Sequence, residues 1–234
     1  MQMKTNHVRS PLRYRDPAAT EHRETPNASG LCLALTLTVG LLLTSLMGLA
    51  RASSGDPMTF VKNTVGQILE VLQDKQTPQQ ARARKVIEIV DGRLDFSAMA
   101  RSSMGYNWKK LTPDQQQQFV PLFTAFMEDA YISKISNYSG QKVQYVGQTS
   151  IGQGDAEVKT VVMPADASQQ PIRINYLLSQ TGGDWKVYDV TVDDISITAN
   201  YRNQFNHMIN EQGFDALMSA MRDKQQELRQ SIGA

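Results

Sequence analysis

Between Thr112 and Gly140, apolar side chains recur every three or four positions: Phe119, Leu122, Phe123, Phe126, Met127, Ala130, Tyr131, Ile135 and Tyr138. That period predicts one long amphipathic helix from Pro113 to Ser139, about 40 Å in length at 1.5 Å per residue. Thr112 and Gln115 have the spacing of a capping box, and Gly140 is suited to the left-handed stop of a helix. Pro121 lies inside the pattern, removes a hydrogen bond to residue 117 and predicts a kink. Upstream, Asp56-Pro57 starts a helix with Phe60, Val61, Val65, Ile68, Leu69 and Leu72 on one side, and Thr77-Pro78 starts a second that buries Val86, Ile87 and Val90. A short third helix follows Asp95, and Tyr106 and Trp108 fall in the loop before Thr112.

After Gly140 the period changes from 3.6 to 2. Lys142–Ser150, Asp155–Met163, Pro171–Gln180 and Asp184–Val192 read as four strands, separated by turns short enough to require antiparallel neighbours. Ile172, Ile174, Tyr176 and Leu178 alternate with Arg173, Asn175 and Ser179, so one sheet face is covered and the other partly wet. Helices from about Ala199 to Gln212 and from Phe214 to Gln230 close the pattern. Helices, a four-stranded antiparallel meander and helices again make an α+β fold.

Composition changes the picture mainly at the start. Residues 1–30 are polar and basic, Leu31–Ala50 is uncharged and Leu-rich, and Ala50-Arg51-Ala52 is an A-x-A site, so residues 1–52 read as a secretory signal peptide and 53–234 as one domain. The apolar run is also long enough for an uncleaved anchor. The only cysteine, Cys32, lies in that run, so the exported part draws its stability from a core rather than from disulfides. After Ala52 there are 18 Lys and Arg against 20 Asp and Glu, a net of −2, which offers nothing for nucleic acid.

Candidate chemistry is sparse. His207 is the one histidine after Ala52 and sits on a helix, which argues against His/Cys metal sites and against Cys–His or Ser–His–Asp nucleophiles. Asp189, Asp193 and Asp194 form the densest carboxylate group, but clustering at a strand end is the pattern of a solvated turn. No enzyme activity, catalytic residue, metal or cofactor is expected. What stands out is the set of adaptable apolar side chains, with eleven methionines in all, most of them after Ala52 and several beside aromatics.

Several blocks carry a specific resemblance: Asp95-Phe-Ser-Ala-Met-Ala-Arg through Gly105-Tyr-Asn-Trp, Leu111-Thr-Pro-Asp-Gln-Gln, Tyr138-Ser-Gly-Gln-Lys-Val, Pro171-Ile-Arg-Ile-Asn-Tyr, Asp184-Trp-Lys-Val-Tyr-Asp-Val and Tyr201-Arg-Asn-Gln-Phe. In order and spacing the chain resembles the MlaC / toluene-tolerance (Tol-Ttg) family of periplasmic phospholipid-binding proteins, and its hopanoid-associated branch (HpnM) is equally similar. The resemblance implies a curved sheet wrapped by the N- and C-terminal helices around an apolar lipid cavity. It also implies a periplasmic location and phospholipid as cargo. The implied partners are an outer-membrane lipoprotein–porin complex and an inner-membrane ABC transporter with an Mce-domain subunit, and a monomer is expected. Tail contacts are expected from Met99, Met104, Tyr106, Trp108, Phe123, Phe126, Met127 and Tyr131 on the helices, and from Tyr145, Ile174, Tyr176, Val187, Val190 and Ile197 on the sheet side. Arg202, in a block shared with the family, is the candidate for a phosphate contact at the rim. Burying acyl carbons should dominate: each methylene left in water costs about 0.8 kcal/mol, so a carrier has to hide nearly all of every tail.

Overall fold

A computed structural model describes residues 55–231 except Asn137, Gln153 and Ala167. The signal-peptide reading of residues 1–52, the start near Ser53 and the side chain of Ile135 lie outside the described residues. Three helices open the fold: α1 (Pro57–Gln73), α2 (Gln79–Asp91) and α3 (Phe96–Met104). A 3-10 turn over Gly105–Lys110 leads to α4 (Pro113–Ser136). The sheet is β1 (Lys142–Ile151), β2 (Asp155–Met163), β3 (Ile172–Thr181), β4 (Asp184–Val192) and β5 (Ile195–Ser196), and α5 (Ile197–Gln212) and α6 (Phe214–Ser231) follow.

Local chemistry accounts for most boundaries. Asp56 accepts the Thr59 amide at 3.1 Å and Asp95 that of Ala98 at 2.8 Å, each capping a first turn. Thr112 and Gln115 close the capping box in both directions, at 2.9 and 3.2 Å. The expected second cap differs: α2 starts at Gln79 with Pro78 at the N-cap and so without a side-chain cap, while the Thr77 hydroxyl donates to Asp74 at 2.5 Å. The loop read around Tyr106 and Trp108 is a 3-10 helix. Helix α4 continues through Pro121, which faces outward and is exposed.

The sheet runs in the order β1-β2-β3-β4-β5, antiparallel throughout. Four long strands are as the alternation predicts; β5 is a two-residue addition that follows a turn in which Asp193 and Asp194 take φ of +47° and +68°. Arg173, exposed on β3, pairs with Asp194 at 2.8 Å, so Asp193 and Asp194 form a solvated turn, whereas Asp189 of the same group is buried. The link from α2 to α3 docks on the middle of β4, with Val187 donating to Arg93 O at 2.9 Å and Asp95 to Val187 O at 2.8 Å.

Three apolar clusters hold the elements together. The largest is helical and aromatic: Phe119 and Phe123 of α4 pack with Tyr201 and Phe205 of α5, with Met99 and Met104 of α3, and with Leu217, Met218 and Met221 of α6. Several of its ring pairs are edge-to-face, among them Phe119–Phe205 at 6.0 Å and 90°. A second cluster joins Val61 of α1 to Ala156, Val158, Leu178, Trp185 and Val187 of the sheet. A third joins Leu72, Val86 and Ile132 where α1, α2 and α4 meet.

Candidate functional site

A cavity of about 310 Å³ opens where these three clusters meet. Helix α1 contributes Phe60, Val61, Thr64, Val65, Ile68 and Leu69, and α2 and its link contribute Val86, Ile87, Val90 and Leu94. Phe96 and Met99 come from α3, Met127, Glu128, Tyr131 and Ile132 from α4, and Ile197 from α5. The floor is the sheet, through Ile174, Tyr176, Val187, Val190 and Val192. Val61, Val86, Met99, Met127, Ile132 and Val187 of this lining are buried, and Val65, Ile68, Ile87, Val90 and Tyr131 beside them are half-buried. Native interiors pack to about 0.75 density with few voids larger than a water, so a space of this size is a built feature.

Four residues bring polar groups to an otherwise apolar wall, and each group is taken up or kept neutral. The Thr64 hydroxyl donates to Phe60 O at 2.9 Å, within its own helix. Tyr176 is pushed up to about 12, by burial first and then by neighbouring Tyr145. Tyr131 is raised by burial and by donating its hydroxyl proton to Tyr201. Glu128 is raised to about 7, first by burial and then by its hydrogen bond to Asp91 and by the charges of Asp91 and Asp129, against a smaller opposing pull from Arg229.

Of the expected contact residues, the fold brings Met99, Met127, Tyr131, Ile174, Tyr176, Val187, Val190 and Ile197 to this wall. Seven others stand elsewhere. Met104, Phe123 and Phe126 are buried in the helical cluster, with the Phe126 ring 5.4 Å from that of Tyr201. Trp108 packs on Phe119 at the edge of the same cluster. Tyr106 is 74% exposed beneath the Lys110 ammonium. Tyr145 packs against the sheet cluster, with Lys62 over its ring. Arg202 is not at a rim. Its Nε donates to Ser102 O at 2.7 Å and its Nη2 to Ser102 Oγ at 3.0 Å, and its stem crosses Gly105 so closely that a Cβ there would lie 2.8 Å from Cδ. Arg202 ties α5 to α3.

The wall residues missed from sequence are chiefly those of α1 and α2. Their signal was present, as two apolar helix faces with no assigned partner, but weighting methionines and aromatics over branched aliphatics passed it by. Asp189, the buried member of the carboxylate group, accepts the Val190 and Thr198 amides and the Ser196 and Thr198 hydroxyls, at 2.5 to 3.2 Å, and so holds the first turn of α5 and its N-cap Ser196. His207 is exposed, 3.4 Å from Glu211. Among the described residues, no group of three or more His, Cys, Asp or Glu could hold a metal ion, and no helix is long and apolar enough to cross a membrane.

Fold and cavity together define a class: an α+β protein whose antiparallel sheet and helices enclose an aliphatic chamber. Within that class the chain belongs to the MlaC family, whose profile, described as MlaC protein, matches residues 62–223. It is 25% identical over 121 residues to the intermembrane phospholipid transport system binding protein MlaC of Haemophilus influenzae, a match that spans 50% of this chain and 56% of that relative. The toluene tolerance protein ttg2D of Pseudomonas putida is 23% identical over 180 residues, 75% of this chain and 83% of that one. Among solved structures, a phospholipid-binding protein from Ralstonia solanacearum in complex with a phospholipid superposes with a TM-score of 0.65 at 25% identity, over 74% of this chain and 99% of that one.

Proposed function

We propose that this protein is a non-catalytic phospholipid carrier of the periplasm, with acyl-tail carbons held in the cavity between α1, α2, α4 and the sheet. The single observation that supports this most is the aliphatic cavity of about 310 Å³ in a chain of this family. An apolar cavity of about 150 Å³ takes one benzene, so this one accommodates roughly a dozen carbons, most of one acyl tail. At about 0.8 kcal/mol per methylene, a dozen carbons contribute on the order of 10 kcal/mol, enough to hold a lipid out of water. The wall has no acid–base pair poised on a reacting atom: Glu128 is held by Asp91, and the two tyrosines are kept protonated.

In this reading, residues 1–52 are removed on export, the carrier is a monomer, and it exchanges phospholipid with an outer-membrane lipoprotein–porin complex and an inner-membrane ABC transporter bearing an Mce-domain subunit. The names of the two relatives, one of them a phospholipid transport component and the other a solvent-tolerance protein, support this direction. The test is mass spectrometry of organic extracts from the purified protein, together with N-terminal sequencing. Near-stoichiometric phospholipid on a chain starting near Ser53 is expected. A chain free of phospholipid, or one that keeps its leader in the membrane, overturns the carrier or the export reading respectively.

A further inference from the structure

On the other side of Phe60 lies a second, polar cleft of about 570 Å³, lined by Lys62, Asn63, Gln67, Arg93, Asp184 and Lys186 among others. Phe60 lines both this cleft and the aliphatic cavity. Three cations from distant parts of the sequence meet here, against Asp184 as the one carboxylate among the described residues of the lining. The backbone puts them together. Bridging of the α2–α3 link to Val187 sets Arg93 beside β4, and the Lys186 Nζ donates to Gly92 O at 2.6 Å.

Of these cations Arg93 has no carboxylate of its own, whereas Lys62 lies close enough to Asp56 for their charges to interact. Among the described residues, the half-buried Arg93 guanidinium makes no ion pair and lies 5.2 Å from the Phe60 ring centre, and Lys62 lies over Tyr145 at 5.4 Å. Cation–π contact of this kind leaves the N–H groups of a guanidinium able to donate to a further acceptor. Gly66 is the second observation. It sits in the middle of α1 and lines the cleft, where glycine weakens a helix relative to alanine, yet a Cβ there would meet nothing within 4 Å. Packing inside the chain does not explain it, whereas a ligand lying against α1 would.

We propose that this cleft is a binding site for a phosphate group, with Arg93 in forked contact and Lys62 and Lys186 supplying charge. A planar guanidinium matches a phosphate through two parallel N–H···O bonds, and an ammonium adds a mobile point charge. The phosphate is either the phosphodiester of a lipid whose tails pass Phe60 into the cavity or a free phosphate ion. The first of these rests on the carrier reading above.

The experiment takes the delipidated chain and measures affinity for dioleoylphosphatidylglycerol, for dioleoylglycerol, which has the same tails without phosphate, and for inorganic phosphate followed by its phosphorus resonance. Two variants accompany the wild type. Arg93→Gln/Lys186→Gln removes charge, and Gly66→Glu puts a carboxylate one turn from Lys62 without deleting any native contact. The expected result is a preference for the phospholipid over dioleoylglycerol of tenfold or more, reduced to less than twofold in both variants, with dioleoylglycerol affinity held and Tm not lowered in Gly66→Glu. If neither lipid binds while inorganic phosphate binds and is lost in both variants, the phosphate site stands and the carrier reading fails. If both lipids bind equally and inorganic phosphate does not bind, the carrier reading stands and this proposal is overturned. A preference that both variants leave intact overturns it as well.

Discussion

Val190 lies on the cavity floor, opposite Tyr176 across the β3–β4 pair. Replacing it by phenylalanine separates a cavity from a closed core, because the two make predictions of opposite sign. An empty cavity of about 310 Å³, at about 24 cal/mol per Å³, weakens the folded state by roughly 7 kcal/mol, comparable with the 5–15 kcal/mol total stability of a domain. Val190→Phe adds four side-chain carbons to that space. If they fill it, the delipidated protein gains up to about 3 kcal/mol, at 0.8 kcal/mol per carbon. The same four carbons take the place of tail methylenes, so lipid affinity falls by about 3 kcal/mol, or roughly a hundredfold. Urea unfolding of the delipidated protein reads the first effect, and lipid competition against wild type reads the second. A closed core would give the reverse, with stability lost by about 1–3 kcal/mol through overpacking and lipid binding untouched. That reverse result would refute the assignment of Val190 to a lipid-accessible wall.

Three further outcomes are expected. Arg202→Ala should destabilise by roughly 1–3 kcal/mol in denaturant unfolding, since it leaves Ser102 O without its donor, while bound lipid per protein stays the same. Asp189→Ala should cost roughly 3 kcal/mol by the same measurement, because two amides and two hydroxyls lose their shared acceptor, the hydroxyl of the α5 N-cap Ser196 among them. Glu128 carries a pH signature. Its folded-state value is raised from 4.5 to about 7, so the folded protein holds the extra proton, and the contribution is fully present below pH 4.5 and lost as pH rises through 7. Stability should therefore fall across that interval in wild type, and Glu128→Gln should flatten the fall; an unchanged slope would show that Glu128 ionises freely.

The sheet and the helix starts could be read one stretch at a time because each depends on neighbours in sequence. The Thr112–Gln115 box and the caps at Asp56 and Asp95 are local hydrogen bonds, and Asp155–Met163 and Asp184–Val192 carry their period of 2 within nine residues. Thr77 marks where this ends: the hydroxyl read as a cap donates to Asp74, three residues earlier, and Pro78 stands at the N-cap.

The site was legible only in part, and α4 shows why. Its apolar stripe is continuous along the chain but is split in space. Phe119, Phe123 and Phe126 pack under α5 and α6, whereas Met127, Tyr131 and Ile132 pass to the cavity. A 3.6-residue period says which side of a helix is buried, not what it is buried against, and the partners here come from α1, α2 and α3 before it and from α5 and α6 more than sixty residues after it. Arg202 and Gly105, close in space and nearly a hundred residues apart, were likewise invisible as a pair. So were Lys62, Arg93 and Lys186, which look scattered in a chain of balanced charge until the bridge from Arg93 to Val187 gathers them. Hydrogen-bonding and periodic preferences act over a few residues and are written in the sequence. The cavity is the space that three clusters leave between them, and it exists only once all three have packed.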